Sequence, residues 1–119
     1  MRRVTLILAA VAMIVALFAI AAYAADIQGT NSTEILNETN KNDQIHALVG
    51  DDTVNANVYQ SVDDTDRVHG NKGDDTINLK DADSNDTAWG GRGDDTCFGD
   101  TAVPPAESDK FHSCEVINP

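Results

Sequence analysis

Gly90-Gly91-Arg92-Gly93-Asp94-Asp95-Thr96-Cys97-Phe98 has a near copy twenty residues earlier, Gly70-Asn71-Lys72-Gly73-Asp74-Asp75-Thr76-Ile77-Asn78. A third, weaker copy ends in Gly50-Asp51-Asp52-Thr53-Val54-Asn55. All three carry Gly-Asp-Asp-Thr and then an apolar-type residue. Working outward, the acid-x-apolar spacing recurs. Ile27, Leu36, Ile45 and Val54 stand nine apart, with Glu34, Asp43 and Asp52 two residues before the last three. Val68 and Ile77, then Ala88 and Cys97, are again nine apart, preceded by Asp66, Asp75, Asp86 and Asp95. The breaks are 14 residues between Val54 and Val68 and 11 between Ile77 and Ala88, which are insertions of five and two. Helical periodicity is absent, and Asn, Asp, Gly and Thr fill the intervals. The pattern therefore predicts short strands joined by turns.

The chain has 119 residues, enough for one small domain. Acidic residues number 20 against 8 basic, a net charge of −12. Such a chain repels nucleic acid and anionic membrane surfaces, which argues against both as direct partners. It also repels itself, and only a cation or disorder relieves that. Glycines and aspartates at fixed offsets argue against disorder, which needs no register.

Met1-Arg2-Arg3 and the uncharged run from Val4 to Ala25 form a secretory pattern: positive start, apolar middle, small residues at the exit. Ala22-Tyr23-Ala24 fits the cleavage rule, so residues 1–24 are expected to be a signal helix removed before Ala25. The rival is an uncleaved anchor, because the run is long enough to span a bilayer. Either way the acidic part lies outside the cytoplasm, secreted or held at the cell surface.

The three copies resemble the nonapeptide G-G-x-G-x-D-x-U-x of the repeats-in-toxin, or haemolysin-type, calcium-binding proteins. The copy at 90–98 matches every glycine and the aspartate. The copy at 70–78 has Asn71 for the second glycine, and the first keeps only Gly50, Asp52 and Val54. The resemblance covers residues 27–98 loosely and 70–98 tightly. It implies an all-β, right-handed parallel β-roll (a β-helix solenoid) over residues 25–98, built of nine-residue half-coils. Two units then make one coil, so Glu34, Asp52, Asp75 and Asp95 fall along one edge, and Asp43, Asp66 and Asp86 along the other. Every Gly-Asp-Asp-Thr turn lies on the first edge. Both insertions lie in the turns of the second.

The resemblance further implies Ca2+ as the ligand, held between stacked turns by hard oxygen donors. Carried over residue by residue, the best site uses Asp75 and Asp95 with the carbonyls of Gly70, Lys72, Gly90 and Arg92, while Gly73 and Gly93 let the turns curl. A weaker site uses Asp52 and Asp75, with Gly50 shaping the turn. Asp51, Asp74 and Asp94 are read as supplementary negative field. Asp43, Asp66 and Asp86 lack the glycines, so ion binding on that edge is doubtful. The bland alternative is that the aspartates merely cap turns. Asp81-x-Asp83-x-Asn85 opens like an EF-hand loop, but Asp86 and Arg92 stand where its glycine and glutamate belong.

Cys97 and Cys114 are an even pair in an exported chain and read as a disulfide, with a metal or redox role second. Closing that loop would contribute about 3 kcal/mol on the chain-entropy model. It would tether residues 99–119 as a cap over the open end of the roll, with Val103-Pro104-Pro105 as elbow and Trp89, Phe98 and Phe111 as apolar filling. His46, His69 and His112 show no ligand spacing and are expected to be solvated. In the resembled family the repeats usually accompany a protease, lipase or pore-forming domain. No signature of these is found, so the chain is not expected to be an enzyme. Two functions remain: a calcium-binding module that folds on its ion, or a structural or adhesive surface protein that calcium only rigidifies.

Overall fold

A strand whose only inward apolar residue recurs every nine positions cannot bury a face against a helix. It can bury that residue against the same residue of the next coil. The computed structural model describes residues 24–59, 64–82, 85–101 and 108–118. The signal segment up to Tyr23, part of the five-residue insertion, Asp83 of the acidic loop and the Val103-Pro104-Pro105 elbow lie outside them. No helix among the described residues is long and apolar enough to cross a membrane.

Ten strands alternate between two sheets: β1 Asp26–Gln28, β2 Ile35–Asn37, β3 Gln44–Val49, β4 Thr53–Asn55, β5 Arg67–Lys72, β6 Thr76–Asn78, β7 Thr87–Arg92, β8 Thr96–Phe98, β9 Lys110–His112 and β10 Val116–Asn118. One sheet has the order β1-β3-β5-β7-β9 and the other β10-β8-β6-β4-β2. Every pairing is parallel. The result is an all-strand parallel β-solenoid. Its register sets Ile45 beside Val68, Ala88 and Phe111 in turn, and Leu36 beside Val54, Ile77, Cys97 and Ile117.

The expected strand centres are therefore the core, with Ile45, Val54, Val68, Ile77, Ala88 and Cys97 all at 0% exposure. Partners along the first edge lie 18, 23 and 20 residues apart. The first-edge turns Gly50–Asp52, Gly73–Asp75 and Gly93–Asp95 are equally long, so the extra five and two residues fall on the second edge. That is where the spacing puts them.

The fourth-position glycines make the tight stacking possible. Gly50, Gly73 and Gly93 have φ of 132°, 127° and 143°, a region reserved for glycine. A Cβ at Gly73 would run into the Gly50 carbonyl, and one at Gly93 into the Gly73 carbonyl. The second position is also left-handed, occupied by Gly91, then Asn71 at 79° and Leu48 at 83°. Asparagine tolerates that conformation and leucine resists it, so turn quality declines toward the amino terminus.

Two expectations about the carboxyl-terminal part change, and one about the histidines, while the pairing of the cysteines is met. Residues of the tail do more than cap the roll, because β9 and β10 prolong both sheets as a last coil. Cys97 and Cys114 are joined, with Cα atoms 6.0 Å apart, and tie this coil to the preceding one. Trp89 and Phe98 lie on outward strand positions, and only Phe111 turns toward the core. The histidines are not simply solvated. His46, His69, Trp89 and His112 stack in one row, with ring centroids 4.7, 4.4 and 5.4 Å apart. In-register pairing on a flat sheet forces this row, which no spacing in the sequence announces. Burial, and then the neighbouring His46 charge, lower the His69 pKa.

Candidate metal sites on the two turn edges

Buried polar residues in this solenoid are all acids: Glu38, Asp43, Asp52, Asp64, Asp66, Asp75, Asp81, Asp86, Asp95 and Asp109. Burying an ionised carboxylate is costly unless it is hydrogen-bonded and neutralised. Half of that need is met by the chain. On the first edge Asp52 Oδ1 accepts the Glu34 N–H at 2.9 Å, Asp75 Oδ1 that of Asp52 at 2.9 Å, and Asp95 Oδ1 that of Asp75 at 2.9 Å. Glu115 continues the series by accepting the Asp95 N–H at 2.8 Å. The second oxygens, Oδ2 of Asp52, Asp75 and Asp95, are buried and receive no hydrogen bond.

Those free oxygens point at spaces kept open by first-position glycines. A Cβ at Gly70 would stand 2.5 Å from the Gly90 carbonyl oxygen and closer still to Asp75 Oδ2. At Gly90 it would stand 2.5 Å from Asp95 Oδ2 and closer to the Ser113 carbonyl. Two oxygens of stacked turns thus converge on one point at roughly the 2.3–2.6 Å that calcium takes from oxygen. Gly29 repeats the arrangement with Glu34 Oε1 and the Ala47 carbonyl. A hard cation fits such a slot; a methyl group does not.

The structure brings together most of the residues named from sequence, with two differences. Asp75 and Gly90 share the Gly70 slot, and Asp95 lies in the next slot along. The carbonyls of Lys72 and Arg92, expected to face an ion, accept the N–H groups of Gly50 and Gly73 at 2.9 Å. At the weaker Asp52 site the first position is Ala47, whose methyl group stands where the other turns leave space. Asp51, Asp74 and Asp94 are exposed and form an outer ladder, Asp51 accepting from Asp74 N–H at 3.0 Å and Asp74 from Asp94 N–H at 2.9 Å. Gly29, Asp109 and Glu115 also belong to the ladders but escaped the sequence reading. Asp109-x-Phe111 and Glu115-x-Ile117 carry the same acid-x-apolar signal and could have revealed the last coil.

On the second edge Asp43, Asp66 and Asp86 form a matching ladder, accepting the N–H groups of Ala25, Asp43 and Asp66 at 2.8, 2.7 and 2.7 Å. Its first positions hold Glu38, Ala56, Leu79 and Gly99. In the two middle turns Ala56 and Leu79 are fully buried in the core, so apolar side chains occupy the space that glycine leaves open opposite. Asp43 is satisfied within the protein, since Thr39 donates its N–H at 2.5 Å and its hydroxyl at 2.9 Å.

Burial pushes the Asp75 carboxyl up to about 6; the Asp52 N–H opposes this, and the charges of Asp95, Asp52 and Asp51 add to it. Asp95 is raised for the same leading reason. These folded pKa values exceed the unfolded ones, so they favour the metal-free fold at low pH and that advantage is lost as pH rises through about 6. Calcium-stripped protein is therefore expected to gain β-structure between pH 7 and pH 4, followed by circular dichroism. Calcium affinity should fall across the same window, because protons and the cation compete for the same oxygens.

Compared with known proteins, the chain matches a family model described as the RTX calcium-binding nonapeptide repeat, in residues 29–58, 62–79 and 78–101. No curated protein and no solved structure matches it.

Proposed function

Because this chain belongs to the RTX calcium-binding nonapeptide repeat family, whose repeats bind Ca2+, we propose an exported calcium-binding protein that folds on taking up its ions at the glycine edge. The observation that carries the reading is the convergence of Asp75 Oδ2 and the Gly90 carbonyl on the space left by the missing Gly70 side chain. Asp75 and Asp95, with the carbonyls of Gly90 and Ser113, would hold the cations. Bound there, calcium supplies the positive charge that the buried carboxylates lack.

The chain's own residues prepare for this. Backbone N–H groups fix one oxygen of each aspartate and leave the other free, while Gly73 and Gly93 bring the turns close enough to share donors. A core of one or two mostly small inward apolar residues per half-coil is too thin to hold together a stack of buried negative charge unaided, which is why folding and binding should be coupled. The arginine pair and apolar run at the amino terminus support export. A binding and scaffolding role, rather than catalysis, suits this arrangement.

The test is far-UV circular dichroism of the oxidised protein, titrated with calcium and then with magnesium. A coil spectrum that turns to β-sheet at sub-millimolar to millimolar calcium, and not with magnesium, supports the reading. A β-rich spectrum in chelator, indifferent to calcium, overturns it. A structural or adhesive role has one observation of its own. The outward face of the β2-β4-β6-β8-β10 sheet has no charged strand residue, and instead presents Thr53, Thr76 and Thr96 in one row and Asn37, Asn55 and Asn78 in the next. On so acidic a chain this neutral, regular face is suited to contact.

A further inference from the structure

The second edge carries a feature that the repeat motif does not describe. Glu38 occupies the first position of its turn, where the motif has glycine, and Asp64 and Asp66 of the next coil lie beside it. One carboxylate oxygen from each lies within 4.8 Å of the others, and the three residues are 5%, 4% and 0% exposed. Two of the carboxylates are held by backbone. Glu38 Oε1 accepts the N–H groups of Val58 at 2.5 Å and Tyr59 at 2.9 Å, and Asp66 Oδ1 accepts that of Asp43 at 2.7 Å. Their other oxygens, Glu38 Oε2 and Asp66 Oδ2, are buried with no N–H or O–H donor. A capping role would use up these oxygens; here they are fixed in place and aimed at each other.

We propose that Glu38, Asp64 and Asp66 form a cation site of a second kind, taking a hard divalent cation through three side-chain carboxylates on the second edge, in a turn whose first position is not glycine. All the donors are oxygens with full negative charge, which selects calcium, magnesium or manganese over softer metals. The donor set differs from that of the glycine edge, where each slot pairs a carboxylate with a backbone carbonyl. In the metal-free chain the alternative is a proton shared between the Asp66 and Glu38 carboxyls, and burial, then that contact with Glu38, push Asp66 up to about 9.

The test is calorimetric titration of the oxidised wild type, Glu38→Gln and Asp64→Asn with calcium, counting bound equivalents, alongside thermal melts with and without the ion. Glu38→Gln keeps an oxygen for the Val58 and Tyr59 N–H groups. Each variant is expected to bind one equivalent fewer than wild type while still reaching the wild-type β-signal at saturating calcium. Glu38→Gln should melt higher than wild type in chelator, because the Glu38 charge crowded against Asp64 is gone, and gain less from calcium. That inversion of sign is not expected of a merely structural carboxylate. Unchanged stoichiometry, or melts shifted equally with and without calcium, overturns the proposal. Failure of the glycine-edge reading would look different: wild type would bind a single equivalent, and Glu38→Gln would abolish it.

Discussion

The double variant Asp75→Asn/Asp95→Asn is expected to remain a coil at calcium concentrations that fold the wild type. Each substitution keeps the side-chain oxygen that caps a backbone N–H, but removes the charge from the oxygen facing a glycine slot. Two slots are affected, one at Gly70 and one at Gly90. A site filled at a hundred times its dissociation constant contributes about 2.7 kcal/mol to stability. Losing two such contributions removes a large part of the roughly 5–15 kcal/mol by which small proteins are stable at all. Asp43→Asn is the control, because Thr39 and the Ala25 N–H already satisfy both oxygens of that carboxylate. It should leave the calcium midpoint nearly unchanged. Circular dichroism titrations of the three proteins decide the matter, and equal damage from the two edges would refute the division between them.

The second large effect needs no change of charge. Gly70→Ala places a methyl group 2.5 Å from the Gly90 carbonyl oxygen and closer to Asp75 Oδ2, in the space assigned to an ion. Gly70 has no positive φ, so the penalty is one of space and not of backbone conformation. The variant should bind one calcium fewer, with the midpoint of calcium-induced folding raised about tenfold or more, equivalent to at least ~1.4 kcal/mol. The converse change, Ala47→Gly, clears the one first-edge position where a methyl group already stands, and should add an equivalent between Asp52 and the next turn. Calorimetric counting of bound calcium reads both. If Gly70→Ala bound as many ions as wild type, the slots would not be the sites.

Much of this was legible because the repeat is written in single residues at fixed offsets. The nine-residue interval between Ile27, Leu36, Ile45 and Val54 gives the strand centres, and the insertions of five and two fall on the edge that the spacing names. Asp75, Asp95 and their glycines could be picked out because a carboxylate offers a charged oxygen, and only glycine no Cβ, at the positions concerned. What the motif did not cover was harder to see. The last coil was missed because the interval before Asp109 is long and Glu115 replaces aspartate, although both are followed two residues later by an apolar residue in register with the core strands. Trp89 was assigned to the interior on hydrophobicity, yet it occupies an odd strand position that faces out.

Sequence by itself determined the class of fold, the family, the cation and the edge with the better turns, since each depends on which residue type recurs at which interval. Tertiary structure alone decided which oxygens remain free. Whether an aspartate is a cap or a ligand depends on how many donors reach its two oxygens. Asp43 and Asp75 each take one N–H from the stacked neighbour, but Thr39 of the same turn also donates to Asp43, while Asp75 Oδ2 receives nothing. Only stacking, too, could bring Glu38 within reach of Asp64 and Asp66. Their separation along the chain is well over one coil, and only the register of the sheets fixes which turns lie side by side.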